Sequence, residues 1–352
     1  MKYPMNILVT GQTTMQIGRM ENGNIGNYYV LEPFFREVHR VFPNSTVETT
    51  LQLTDRFCRD ESVACLPMEL YYDFNGGSLE QALYELDIAK DYLCSGKLKA
   101  HTPFIDAVLK ADVVLDLSGD IWGSNADLLA ADRFEVGLYK NRVSQILGKH
   151  TALVSSSPGP FADEHLDLAK EVFSGFDVVA NREPVSSRKL RSIGFDLSNV
   201  IESACPAFIF DQRGRENTEQ LEDYRKSASS RSSVIGLIVC GFNFEEGPHT
   251  KWPRSDDEYA TFVATARHII ENLGADVCLM SHSNGFTLPP EEYRDIHGSD
   301  YKHAQHLYKL LCDLGYRDRV FLLEDIYNPW TTKSIIAEFD MLVSGRIHAA
   351  VA

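Results

Sequence analysis

Short apolar runs alternate with longer amphipathic segments along almost the whole chain, and that rhythm restricts the fold more than any single residue does. Strand-like runs are expected at 7–10, 46–51, 112–117, 151–155 and 177–180, and again at 234–239, 276–280, 320–323 and 341–343. Helical spacing of apolar residues fills the intervals: 28–42, 78–93 with Ser78 as N-cap, 102–111, 127–147, 161–173 and 183–193, then 257–273, 301–314 and 332–338. Strands separated by helices of this length build βαβ units and parallel sheets. The alternation fails only in the polar, Ser-, Arg- and Glu-rich stretch Asp211–Ser233. The chain has 352 residues, enough for two domains of ordinary size. The expected fold class is therefore α/β. It has two Rossmann-like parallel-sheet domains facing a cleft, spanning residues 1–225 and 232–352.

Composition narrows the function classes. The net charge of −16 opposes binding to nucleic acid and to anionic membranes. An anionic substrate would need a local group of Arg and His against that background. No apolar run approaches the roughly 18 residues of a membrane span. The start, Met1–Gly11, has too short an apolar stretch for a signal peptide and reads as a first buried strand. Seven cysteines include no Cys-x-x-Cys pair, and Cys240 and Cys278 lie in strand-like runs. A reducing, cytoplasmic location is expected from that usage.

Open parallel sheets bind ligands beyond the carboxyl ends of their strands, so the residues there carry the functional expectations. Gly23-Asn24-Ile25-Gly26-Asn27 precedes a helix; it suits close approach of an anion to free N–H groups, or a plain turn. Ser118-Gly119-Asp120 follows a middle strand; Asp120 is placed to orient a hydroxyl or to cap a turn. Arg182 opens the helix at Glu183-Pro184, and its fork suits a carboxylate or phosphate, or an ion pair with Glu183 or another acid. Ser344-Gly345-Arg346-Ile347-His348 joins a permanent cation to a group that titrates near neutrality. His282 follows the strand at 276–280 and is a further candidate for the cleft. His303 and His306 have a spacing compatible with metal but no completing ligands, so they are expected on a solvated helix face, and no metal site is expected.

In order along the chain, Gly23-Asn24-x-Gly26-Asn27, Leu117-Ser118-Gly119-Asp120, Arg182-Glu183-Pro184-x-Ser186 and Asp340-Met341-x-Val343-Ser344-Gly345-Arg346-Ile347-His348-Ala349 resemble the polysaccharide pyruvyl transferase family. The resemblance implies a fold like that of the GT-B glycosyltransferases. It implies transfer of pyruvate from phosphoenolpyruvate, as donor substrate, to sugar hydroxyls of a glycan acceptor. A ketal forms and phosphate is released, with no metal or redox cofactor. By the same match Arg346 and His348 bind the donor and assist proton transfer, and Arg182 is a further donor-binding cation. His348 and Asp120 are then the catalytic candidates. Arg182, Arg346, Asn24, Gly26, Asn27 and His282 are the substrate-binding ones. The segment after Asn27 lacks the family's acidic residue, and the loop at Ser118-Gly119-Asp120 has fewer glycines. Resembling sequences continue with a further strand and helices, so the C-terminal domain is expected to be truncated at Ala352. A GT-B-type nucleotide-sugar glycosyltransferase and a non-catalytic glycan-binding relative are the alternatives.

Overall fold

The computed structural model describes residues 4–211, 214–287 and 291–351. Seven short strands form one wholly parallel sheet: β1 (Asn6–Thr10), β2 (Thr46–Thr49), β3 (Val63–Cys65), β4 (Val113–Asp116), β5 (His150–Ser156), β6 (Val178–Asn181) and β7 (Val200–Glu202). Their order is β3-β2-β1-β4-β5-β6-β7. Ile7, Leu8 and Val9 are all buried, because a central strand covered on both faces must be apolar throughout rather than alternating. The helix Pro103–Lys110 begins as its sequence dictates: the Thr102 hydroxyl accepts from the Ile105 N–H, and Pro103 fills the first turn, where no N–H is needed.

The second sheet contains β8 (Val234–Ile238), β9 (Asp276–Leu279), β12 (Val320–Leu322) and β13 (Met341–Ser344), all parallel, in the order β12-β9-β8-β13. A small antiparallel hairpin, β10 (Asn284–Phe286) with β11 (Asp295–His297), stands apart from it. Alternate residues of this sheet feed two cores. Ile235, Leu237, Val277 and Leu279 pack in a cluster that also holds Ile269 and Ile270 of the helix Ala260–Asn272 and Leu307 and Leu311 of the helix Ser299–Asp313. Val234, Ile238, Cys278 and Met280 face the other way, with Leu221 and Tyr224 of the helix Thr218–Ala228 and Ile335 of the helix Pro329–Ile336. Helices therefore cover both faces, as the period-two side-chain alternation of a strand requires.

The chain divides into two compact units. The first comprises residues 1–20 and 34–206, and the second residues 21–33 and 207–352. The compact units part at Pro206/Ala207, while the two sheets are separated by the stretch between Glu202, the end of β7, and Val234, the start of β8, within which the expected boundary at 225–232 lies. The polar stretch is not a linker throughout, since Leu221 and Tyr224 give its helix a buried face. The second unit also takes residues 21–33, which run into the helix Ile25–Val41.

Several expected elements are shifted. Ser78 does not cap its helix: Gly77 holds the N-cap position in a left-handed conformation, while the Ser78 hydroxyl bonds to the backbone of Asp73. The long helix expected at 127–147 is two pieces, a 3₁₀ turn at Ser124–Leu128 and a helix at Arg133–Ile146. Asp132, at φ 55°, redirects the chain between them.

Candidate functional site

In the first unit the strand order reverses between β1 and β4, the point where open parallel sheets commonly bind ligands, but here the two loops leaving those strands are bonded to each other, Thr13 Oγ1 donating to the Leu117 carbonyl at 2.8 Å. Asp116 ends β4 with its carboxylate buried. It accepts the Ser118 N–H (2.9 Å), the Ser118 hydroxyl and the Asn141 amide (2.8 Å). Burial pushes its pKa up to about 6, against the pull of those hydrogen bonds. The Ser118 hydroxyl in turn accepts the Gln12 N–H (2.9 Å), tying the two loops together. Gly119 is left-handed (φ 64°), and the turn it makes presents Asp120 to solvent.

Arg182 leaves β6 with its N–H bonded to the Ser156 carbonyl. Its Nε donates to the Ser157 hydroxyl (2.8 Å), and its Nη2 lies 3.8 Å from the Asp120 carboxylate. Asp120 and Arg182 therefore come together. Glu183 is not Arg182's ion-pair partner here. Its carboxylate caps its own helix by accepting the Ser186 N–H (3.0 Å) and hydroxyl. Burial works to raise the Glu183 pKa, but hydrogen bonds from Ser186, Ser157 and Val185 prevail and hold it below the usual range. Asp120, Asn125, Ser157, Glu183 and Lys189 contribute polar groups to a cavity of about 690 Å³.

The second sheet reverses order between β8 and β13, and Arg346-Ile347-His348 follows β13 at that point. The Ser344 hydroxyl accepts the Arg346 N–H and donates to the Arg346 carbonyl, both at 2.9 Å, fixing the turn out of the strand. The guanidinium meets Asp300 with both oxygens, Nε at 3.0 Å and Nη2 at 2.7 Å. Asp300 is wholly buried, and its own N–H donates to the Ser283 hydroxyl (3.0 Å). The Phe242 ring centroid lies 5.8 Å from the guanidinium carbon.

The helix Ile25–Val41 starts inside the Gly/Asn motif, three residues before the expected Tyr28. The Asn24 side chain accepts the Gly26 N–H (3.1 Å), and its amide reaches Asn27 Oδ1 (3.4 Å). Both asparagines thus help to build the first turn. The Ile25 N–H donates to the His282 carbonyl (3.2 Å). A Cβ on Gly26 would lie 2.3 Å from the His348 Cβ, so only glycine permits the imidazole to sit against this helix start. Gly26, His282, Arg346 and His348 are brought together in this unit.

His282 is completely buried, 5.5 Å from the Tyr29 ring in an edge-on arrangement. Among the described residues neither of its ring nitrogens has a hydrogen-bond partner. Burial first, then the charges of Arg346 and His348, push its pKa down to about 3. It is neutral at physiological pH and keeps one donor and one acceptor nitrogen.

His303 and His306 part company. His303 is buried, its Nδ1 2.9 Å from the Tyr259 hydroxyl, so the solvated face expected for it is replaced by core. Burial chiefly, with Lys302, Arg254 and His306, pushes its pKa down to about 4. His306 pairs with Asp256 at 2.9 Å. Among the described residues no group of three or more His, Cys, Asp or Glu is arranged to hold a metal ion.

Asp300, Asp116 and Ser157 escaped the sequence reading. Asp300 stands in Gly298-Ser299-Asp300 at a helix start, where a short polar residue reads as a cap, and its partner lies 46 positions away. Asp116 closes an apolar strand, and nothing local distinguishes it from a turn residue.

Comparison with solved structures finds the same fold in two proteins of low sequence identity. A glycosyltransferase from Rickettsia africae aligns with a TM-score of 0.53 at 10% identity, covering 98% of this chain and 73% of that one. The UDP-GlcNAc 2-epimerase of Methanocaldococcus jannaschii aligns with a TM-score of 0.54 at 13% identity, covering 99% and 81%. At such identity the likeness is one of fold. No curated protein sequence matches significantly. The profile of the polysaccharide pyruvyl transferase family matches residues 24–352, from the first asparagine of the Gly/Asn motif onward. Nearly the whole chain is accounted for by that match, and the chain belongs to the polysaccharide pyruvyl transferase family.

Proposed function

We propose that the protein transfers the pyruvyl group of phosphoenolpyruvate to two hydroxyls of a glycan, forming a ketal and releasing phosphate. The observation that carries this reading is the cluster at the β8/β13 reversal. There His348 packs on the glycine of a helix start, beside an arginine whose fork is held rigid and a histidine held neutral.

The chemistry asks for an acid, a cation and an oriented hydroxyl. The enol methylene takes one proton and becomes a methyl group. The adjacent carbon, now electron-poor, takes the oxygen of one sugar hydroxyl. A second hydroxyl displaces phosphate and closes the ring, and the two hydroxyl protons go to the base and to the departing phosphate. His348 is the proposed acid, a role worth about 10²–10⁴-fold. Arg346 is the proposed donor cation. Asp300 cancels much of its charge, so its contribution is directional: the N–H groups not taken by Asp300 point in a fixed fork. The N–H groups of the Ile25–Val41 start add positive potential for an anion. Neutral His282 is a proposed hydrogen-bonding partner in the same cluster. Arg182, in the first unit, is a proposed anion-binding cation beside Asp120. Asp120 is the proposed carboxylate that orients a sugar hydroxyl, and the polar cavity it lines has the chemistry of a sugar subsite.

Variant kinetics test these roles. His348→Ala should lower turnover about 10²-fold or more while donor affinity changes little. Arg346→Lys keeps the charge but loses the fork, and should weaken donor affinity about tenfold, the worth of one charge-assisted hydrogen bond. Near-normal turnover in His348→Ala would remove it from the mechanism.

A further inference from the structure

Two cysteines on the first sheet's edge carry an inference independent of the transfer chemistry. The chain leaves β2, forms the short helix Asp55–Asp60, and returns as β3, the last strand on that side of the sheet. Glu61-Ser62 makes the return, with Ser62 left-handed at φ 55°. This tight reversal brings Cys58 on the helix against Cys65 at the end of β3, with their sulfurs 3.4 Å apart. Cys65 is exposed and Cys58 is half-buried, so small molecules reach the pair from solvent.

We infer that Cys58 and Cys65 are a reversible dithiol–disulfide site. A disulfide needs the sulfurs at about 2.05 Å, so they must close by roughly 1.4 Å. Rotation about the side-chain bonds of Cys65, at the open end of an edge strand, supplies that movement. The oxidant is a small-molecule disulfide such as oxidised glutathione. The thiolate of Cys65 attacks one of its sulfurs, forms a mixed disulfide and expels one glutathione thiolate. The Cys58 thiolate then attacks the Cys65 sulfur and expels the second glutathione. Two protein thiols lose two protons and two electrons, and one glutathione disulfide becomes two thiols.

The bridge alters its surroundings. In the reduced pair the Cys65 sulfur donates to the Leu51 carbonyl (3.1 Å), and the Cys58 sulfur points at the Leu53 carbonyl (3.9 Å). Oxidation removes both S–H donors. The segment between those carbonyls contains Gln52, whose carbonyl accepts the Gly18 N–H (3.0 Å). The redox state of the pair therefore reaches the loop that follows β1.

The test equilibrates the full chain in glutathione buffers from reducing to oxidising, quenches in acid, alkylates, and measures each cysteine by peptide mass. Exposed Cys94, at the end of the helix Ser78–Ser95, is the internal reference. Cys58 and Cys65 should lose alkylation together, in a peptide lighter by two hydrogens and free of glutathione, while Cys94 acquires a glutathione adduct. In Cys58→Ser, which lacks the resolving thiol, Cys65 should retain the adduct. The inference is overturned if the two cysteines titrate separately, if each keeps a glutathione adduct in the native sequence, or if both stay alkylatable at a poise that modifies Cys94.

Discussion

Arg346 and His348 stand two residues apart, yet their surroundings give them different freedom. Arg346 is clamped by a buried carboxylate, so its direction is set before any substrate arrives. His348 depends on Gly26, where even a methyl group would overlap it. Gly26→Ala should push the imidazole aside and lower phosphate release by up to about 10²-fold, since an ångström of displacement at a reacting group costs that much. A variant with full activity would show that the approach of His348 to the helix start is incidental. His282 makes a prediction about pH. Its folded pKa of about 3 lies below the ordinary 6.5, so as pH falls the unfolded chain takes the proton first. The stability that neutral His282 contributes is present above pH 6.5 and is lost as pH falls toward 3. His282→Phe, which cannot titrate, should lose less stability than the native chain between pH 7 and pH 5, by on the order of 2 kcal/mol. Urea unfolding at the two values measures this; equal losses would contradict the burial assigned to the ring. Sequence reading singled out Arg346, His348 and His282 by their places just after strands, and Gly26 by its Gly/Asn motif ahead of a helix. It missed Asp300 because an ion pair spanning 46 positions leaves no local mark.

At the scale of elements, periodicity located the long helices and the central strands, where burial on both faces writes continuous apolar runs. Its failures have physical causes. β3 and β7 have three residues each, too few to display a period. The hairpin β10–β11 has strands of three residues with intermediate to exposed side chains, so hydrophobicity does not mark it. The helix at Arg133–Ile146 shows a further limit. Its Lys140 is buried and bonds Glu85 of the helix Ser78–Ser95 at 2.6 Å, while Phe104 lies 4.2 Å below the ammonium. A lysine in sequence reads as surface, and the carboxylate 55 positions away, together with the Leu70 carbonyl at 2.7 Å, makes this burial tolerable. Lys140→Met should cost about 3–5 kcal/mol by stranding the Glu85 charge. Adding Glu85→Gln, which keeps an acceptor for the Thr102 hydroxyl, should recover most of it. Denaturation of the single and double variants decides. A mild single-variant effect would contradict the part assigned to the Lys140–Glu85 pair.

At the scale of the whole molecule, an acidic chain of net charge −16 is assigned a multiply charged anionic donor. The assignment holds only if local groups outweigh that background. The second unit concentrates them: a helix N-terminus, a fixed guanidinium and His348, with one carboxylate spent in orienting the arginine. Family membership agrees with a transferase acting on polysaccharides, while the proposed identity of the donor rests on chemistry. The measurement that tests it most directly is the reaction in deuterated water, with phosphoenolpyruvate and glycan acceptors, followed by phosphate assay and by NMR of the product. Pyruvyl transfer through a protonated enol predicts phosphate release that requires the acceptor. It also predicts a ketal whose methyl group carries one deuterium. Consumption of a nucleotide sugar with release of the nucleotide, and no ketal from phosphoenolpyruvate, would contradict the account.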